Sequence, residues 1–255
     1  MNARLRNTSA LVKFPGASDR LYIVGRTGSG KTQAGLWHLS GHDFSEQAGL
    51  IVDTKGDKKI AELCSTIPQI KTIDINDTPD GPGLYRVRPL PTPDDAVRLD
   101  ALFRRIWDRE NCLVYIDEGY AIEVTDAFNS ILTQGRDKNI PVIVLSQRPA
   151  WITKFVESEA DFVQVFNLNR FDDRKKIAGV VPPLANKDYL GTNYRLEPYC
   201  SYWYNVADDS LVEFDPVPDF PRIINTFRAT FPPEPAQGPL EIVAPTRTVT
   251  RYRVV

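Results

Sequence analysis

An apolar run at residues 21–24 leads straight into Gly25-Arg26-Thr27-Gly28-Ser29-Gly30-Lys31-Thr32, and this junction most restricts what the chain can fold into. The pattern is G-x-x-x-x-G-K-T. Its glycines let the backbone curl into a nest whose N–H groups point at phosphate oxygens, an approach that side chains would block. Lys31 is placed to reach the β- and γ-phosphates, and the Thr32 hydroxyl to ligate magnesium. Residues 33–39 suit a helix, so the loop has a strand before it and a helix after it. The segment 25–32 therefore implies a cradle for a nucleoside triphosphate, ATP with Mg2+, in an α/β protein.

Continuous apolar runs recur at residues 49–52, 70–75, 112–116, 141–145 and 161–166, as strands covered on both faces by helices require. Between them, residues 31–39, 57–66, 94–109, 123–136 and 172–178 are predicted as helices, with Asp57 and Asp94 as candidate N-caps. This alternation predicts a three-layer sandwich around a mainly parallel sheet. Residues 199–206 and 210–214 predict a C-terminal β-hairpin, with Tyr202 and Tyr204 on one face and Trp203 on the other. Trp107 and Trp151 are expected as core or interface anchors. From residue 229 the chain turns proline-rich and polar, and reads as an extended arm. The expected organisation is an N-terminal arm (1–19), one ATPase domain (20–228) and a proline-rich tail (229–255).

With 42% hydrophobic residues in 255, the chain is long enough for one large core. Its 31 basic and 33 acidic residues nearly cancel, so no global field recruits nucleic acid, and contact with it needs a local patch or an assembled ring. Three cysteines and two histidines form no metal-binding pattern, and the cysteines suit a reducing compartment. No run of 18 uncharged apolar residues occurs, so no intrinsic membrane span is expected.

Two further motifs carry chemistry. Residues 113–116 are apolar and end in Asp117-Glu118, which places carboxylates at the C-terminal edge of a buried strand, where open α/β sheets bind ligands. Asp117 is predicted to assist the metal and Glu118 to deprotonate an attacking water. An adjacent glutamate suits hydrolysis, whereas small-molecule kinases need a substrate hydroxyl. The strand at 141–145 ends in Ser146-Gln147-Arg148-Pro149, which projects the Gln147 amide as a γ-phosphate sensor. The alternative is that Ser146 and Gln147 satisfy strand-end backbone groups.

Taken together, Gly25–Thr32, Asp53-Thr54-Lys55-Gly56-Asp57, Ile116-Asp117-Glu118, Ser146-Gln147-Arg148-Pro149 and the stretch from Phe166 to Arg174 resemble, in order, the motifs of the FtsK–HerA superfamily of DNA-pumping P-loop ATPases, small viral genome-packaging ATPases above all. Thr54 departs from the family's usual proline, and the larger accessory domains are missing. The resemblance implies a RecA/FtsK-like P-loop fold and a homo-oligomeric ring of five or six subunits with ATP between neighbours. It also implies an arginine finger in trans. Arg136, Arg148, Arg170 and Arg174 are the candidates, with Arg170 and Arg174 fitting the family segment best.

By the same resemblance the partner is double-stranded DNA, bound without sequence preference in the ring pore. Lys58, Lys59, Arg104, Arg105, Arg109, Lys175 and Lys176 are available for it. The tail is expected to dock on a neighbouring subunit, a capsid or a membrane-vesicle protein. The place of action is the host cytoplasm and the packaging vertex of the virion. The rival readings are a virion-assembly or secretion ATPase of the zonula-occludens-toxin-like kind, and a nucleotide-gated scaffold that moves no DNA.

Overall fold

The computed structural model describes residues 12–231, and the tail expected beyond that lies outside the described residues. The chain opens with β1 (Arg20–Val24), α1 (Lys31–Leu39), β2 (Ala48–Val52), α2 (Lys58–Thr66), β3 (Lys71–Thr72) and β4 (Gly83–Val87). It continues through α3 (Pro93–Arg109), β5 (Cys112–Ile116), α4 (Asp126–Gln134), β6 (Val142–Ser146), α5 (Lys154–Ser158) and β7 (Phe162–Val165). The last elements are α6 (Phe171–Val180), α7 (Lys187–Leu190), β8 (Ser201–Asn205), β9 (Ser210–Phe214) and α8 (Phe220–Thr230).

Among the described residues nine strands form one sheet in the order β3-β4-β2-β5-β6-β1-β7-β8-β9. Every pairing is parallel except β7–β8 and β8–β9. Successive side chains of a strand face opposite ways, and β1 shows the consequence. Leu21 and Ile23 join a core with α1, α2 and α8, whereas Tyr22 and Val24 join a second core with α3, α4 and α6. The result is the predicted three-layer α/β sandwich with a terminal hairpin. Trp203 is buried with Leu21 and Ile23, and Tyr204 with Tyr22 and Val24, so the hairpin aromatics pack as expected.

Several expected elements are different in the structure. Of the run at 70–75, the strand keeps only Lys71–Thr72, with the Ile73 amide still donating to the Arg86 carbonyl, because Asp74 then closes a turn through hydrogen bonds from Asn76. Strand β4 was not expected. Thr92, not Asp94, caps α3 by accepting from the Asp95 amide, with Pro93 in the first turn. The helix expected at 123–136 is shorter, capped by Thr125 and followed by a 3-10 turn. Trp107 packs against the core, but Trp151 is 62% exposed and is no core residue. Helix α8 runs past residue 228, and Phe231 still stacks on Phe44. Of the expected arm, Lys13 accepts a hydrogen bond from the Trp203 indole, and Phe14 packs on Trp37 and Trp203.

Candidate active site

The sheet order sets the site. Strand β6 lies between β5 and β1, so the strand ends carrying Asp117, Gln147 and the glycine loop stand side by side at the C-terminal edge. The loop hangs from both neighbours of β1: the Gly25 amide donates to the Ser146 carbonyl and the Arg26 amide to that of Asn167. A side chain at Gly25 would begin 2.6 Å from Phe166 Cβ, so only glycine allows this approach. Gly30 is left-handed (φ 100°) and starts α1 without a side-chain cap, leaving the helix's first N–H groups to an anion.

Lys31, Thr32, Asp117 and Glu118 are all buried. The Thr32 hydroxyl donates to Asp117 Oδ1 at 3.3 Å. Asp117 Oδ2 is buried without a hydrogen bond, its nearest cation being Lys55 Nζ at 3.4 Å. Burial pushes the Asp117 carboxyl up to about 7, although Lys55 opposes the rise. An orphaned carboxylate oxygen beside a threonine hydroxyl suits magnesium, which binds few protein oxygens and keeps waters and substrate phosphates for the rest. Such a cation would also stabilise the ionised form of Asp117.

Glu118 is held on three sides. Its Oε1 meets Lys31 Nζ at 3.0 Å and Lys55 Nζ at 2.8 Å, and its Oε2 accepts from the Gln147 amide at 3.0 Å. Burial alone would lower the Lys55 ammonium, but Asp117, Glu118 and Asp57 together hold it above its ordinary value. Asp53 orders the segment carrying Lys55 by accepting from the Asp57 amide and pairing with Arg86 beneath it. Gln147 accepts at Oε1 from Thr27 of the glycine loop and donates to the Tyr120 hydroxyl. Its side chain thus bridges that loop and the 3-10 turn that follows β5.

The four arginines scatter. Arg174 is 4% exposed, and its guanidinium donates to the carbonyls of Leu168, Asn169 and Gly191. It braces the chain within its own subunit, an arrangement that does not suit a finger. Arg136 pairs with Asp161 at the opposite edge of the sheet from the glycine loop. Arg148 lies over the Trp151 ring and near Asp173. Arg170 is exposed, with only a 3.8 Å approach to Asp172. Among the basic residues considered for DNA, Arg105 and Arg109 are committed to carbonyls of residues 75–79, and Arg104 to Asp100. Lys59 lies over Phe220, and Lys176 pairs with Glu157. Lys55 and Tyr120 were missed as site residues. Lys55 stands in the 53–57 segment already singled out, whereas no sequence signal marks Tyr120.

Fold and site together define a P-loop ATPase. No family model matches the chain. It is 38% identical over 223 residues to the DNA packaging ATPase P9 of Enterobacteria phage PRD1, covering 85% of this chain and 95% of P9. The chain therefore belongs to the family of viral DNA-packaging ATPases that includes P9. Among solved structures, the genome packaging NTPase B204 from Sulfolobus turreted icosahedral virus 2, in complex with sulfate, shares the fold at TM-score 0.60 and 19% identity, covering 80% of this chain and all of B204. EccC (ATPases 2 and 3) of Thermomonospora curvata shares it at TM-score 0.54 and 11% identity, over 85% of this chain and 43% of EccC.

Proposed function

We propose that this chain is the ATP-hydrolysing motor that drives a double-stranded DNA genome into a viral capsid inside the host cell. One observation carries the reading: Glu118 is buried beside the triphosphate cradle, next to Asp117, with its carboxylate fixed by Lys31, Lys55 and the Gln147 amide. Family membership with a DNA packaging ATPase supplies the cargo.

In this mechanism the loop amides and Lys31 hold the triphosphate, and Thr32 and Asp117 would hold magnesium. Bound there, magnesium neutralises charge on the phosphate oxygens. As Lys31 turns to the γ-phosphate, Glu118 keeps Lys55 and accepts the proton of the attacking water. Gln147, bridging Thr27 and Tyr120, registers whether the γ-phosphate is present. A ring of five or six copies supplies an arginine across each interface, worth about 10³–10⁵ in rate. Basic side chains facing the pore hold the DNA backbone without reading its sequence.

The test is ATP turnover with and without linear duplex DNA at low salt, alongside native mass. A ring whose turnover rises with DNA is expected. Glu118→Gln should retain ATP and lose turnover, and Lys31→Ala should lose both. A ring indifferent to DNA, or a Glu118→Gln protein of unaltered rate, would overturn the motor reading.

A further inference from the structure

Lys31, Glu118 and Gln147 fix the terminal-phosphate end of the cradle on the β5–β6 side of β1, whereas β7 and β8 flank β1 on the other side. A triphosphate lying along the loop with its last phosphate at Glu118 therefore sends its nucleoside toward β7 and β8. Tyr199, just ahead of β8, stands there. Its Cδ1 lies 3.1 Å from the point where a Gly30 side chain would begin, yet the residue is 58% exposed. Its backbone is left-handed (φ 64°), uncommon for a bulky residue. The core places along this hairpin go instead to Trp203 and Tyr204.

The ring's position is tied to the loop. The Asn167 amide accepts from the Leu196 N–H at 2.8 Å and donates to the Leu196 carbonyl at 3.0 Å. The Asn167 carbonyl accepts from the Arg26 amide of the glycine loop at 2.9 Å, and the Cys200 amide closes a turn on Glu197. One asparagine thus couples the turn carrying Tyr199 to the phosphate cradle, and both ends of its amide are committed to that clamp.

We propose that Tyr199 is the platform on which the base of the bound nucleotide stacks. The inference rests on reading residues 25–32 as a triphosphate cradle. An aromatic face offers stacking area and little edge recognition. The platform accordingly favours purines over pyrimidines and barely separates adenine from guanine.

The full chain is titrated calorimetrically with a non-cleavable ATP analogue and with inorganic triphosphate, as wild type, Tyr199→Phe and Tyr199→Asn. Asparagine tolerates the left-handed backbone and removes only the ring. Tyr199→Phe is expected to bind the analogue within about threefold of wild type, and Tyr199→Asn roughly ten- to a hundredfold more weakly. Inorganic triphosphate should bind all three alike. Equal binding of the analogue by Tyr199→Asn overturns the platform and leaves the cradle standing. Equal weakening of both ligands also overturns it, since the ring would then be shaping the loop. A wild-type chain that binds neither ligand overturns the cradle itself.

Discussion

Lys55 shares one oxygen of Glu118 with Lys31, and the two cations have different prospects once nucleotide arrives. In the proposed mechanism Lys31 has the γ-phosphate to turn to, whereas Lys55 is also tied to Asp117 and Asp57. On that mechanism Lys55 and the Gln147 amide then aim the Glu118 carboxylate at water. Replacing Lys55 with methionine keeps the stem and deletes the charge. Steady-state kinetics should then show kcat down about tenfold to a hundredfold, the range of a misaligned general base, with KM for ATP changed far less. A fall confined to KM would mean that Lys55 holds substrate and leaves Glu118 alone. At this scale the sequence was informative about motifs and mute about single contacts. That Asp117, Glu118, Lys31 and Thr32 would come together was legible, because the motifs put them at the ends of a loop and a strand that the sheet brings side by side. The Arg174 role was not, because an arginine that braces three carbonyls and one that reaches outward have the same spacing.

Elements were legible where hydrophobicity was unbroken. Strands β1, β2, β5 and β6 are fully buried five-residue runs, and their two-sided burial is what continuous apolar sequence encodes. Strand β4 hid because Arg86 interrupts it, and the partner that makes that arginine tolerable, Asp53, comes from the segment after β2. Helix α8 hid behind the prolines around it, although Pro221 in its first turn and the Asp219 cap are start signals. One pairing between elements sets a pH limit. His38 of α1 is buried, shares a hydrogen bond with Gln164 of β7 at 3.0 Å and stacks on Trp203 of β8. Burial pushes its imidazole down to about 4, from 6.5. The unfolded chain therefore binds a proton at higher pH than the folded one. The stability that neutral His38 permits is complete above about pH 6.5 and is lost as pH falls toward 4. Between pH 7 and pH 5 the loss should be about 2 kcal/mol. His42 is shifted alike by burial and Asp117 in the opposite sense, so the measurement is a difference: in urea unfolding, wild type should lose about 2 kcal/mol more than His38→Gln between the two values. An equal fall in both proteins would assign it to other groups.

At the scale of the whole molecule, a charge that serves a neighbour must be free to leave its own subunit. Arg174 is buried, Arg136 is paired with Asp161, and Arg148 is held between Trp151 and Asp173. Of the four candidates Arg170 has the most exposed side chain, at 60%, and among the described residues its one ion-pair approach is the 3.8 Å to Asp172. It caps α6 at the sheet edge that carries the cradle, which suits a group reaching across a head-to-tail interface. If so, Arg170→Ala rings should lose about 10³–10⁵ in ATP turnover, as Glu118→Gln rings lose theirs. The two defects lie on opposite sides of each interface. Mixing equal amounts restores an intact glutamate facing an intact arginine at about one interface in four, counted over randomly assembled head-to-tail rings. ATPase activity should therefore reappear on mixing, peak near equal proportions and vanish at either extreme. Activity that stays absent at every ratio, in rings shown by native mass to have exchanged subunits, would exclude Arg170 and return the role to Arg148 or Arg136.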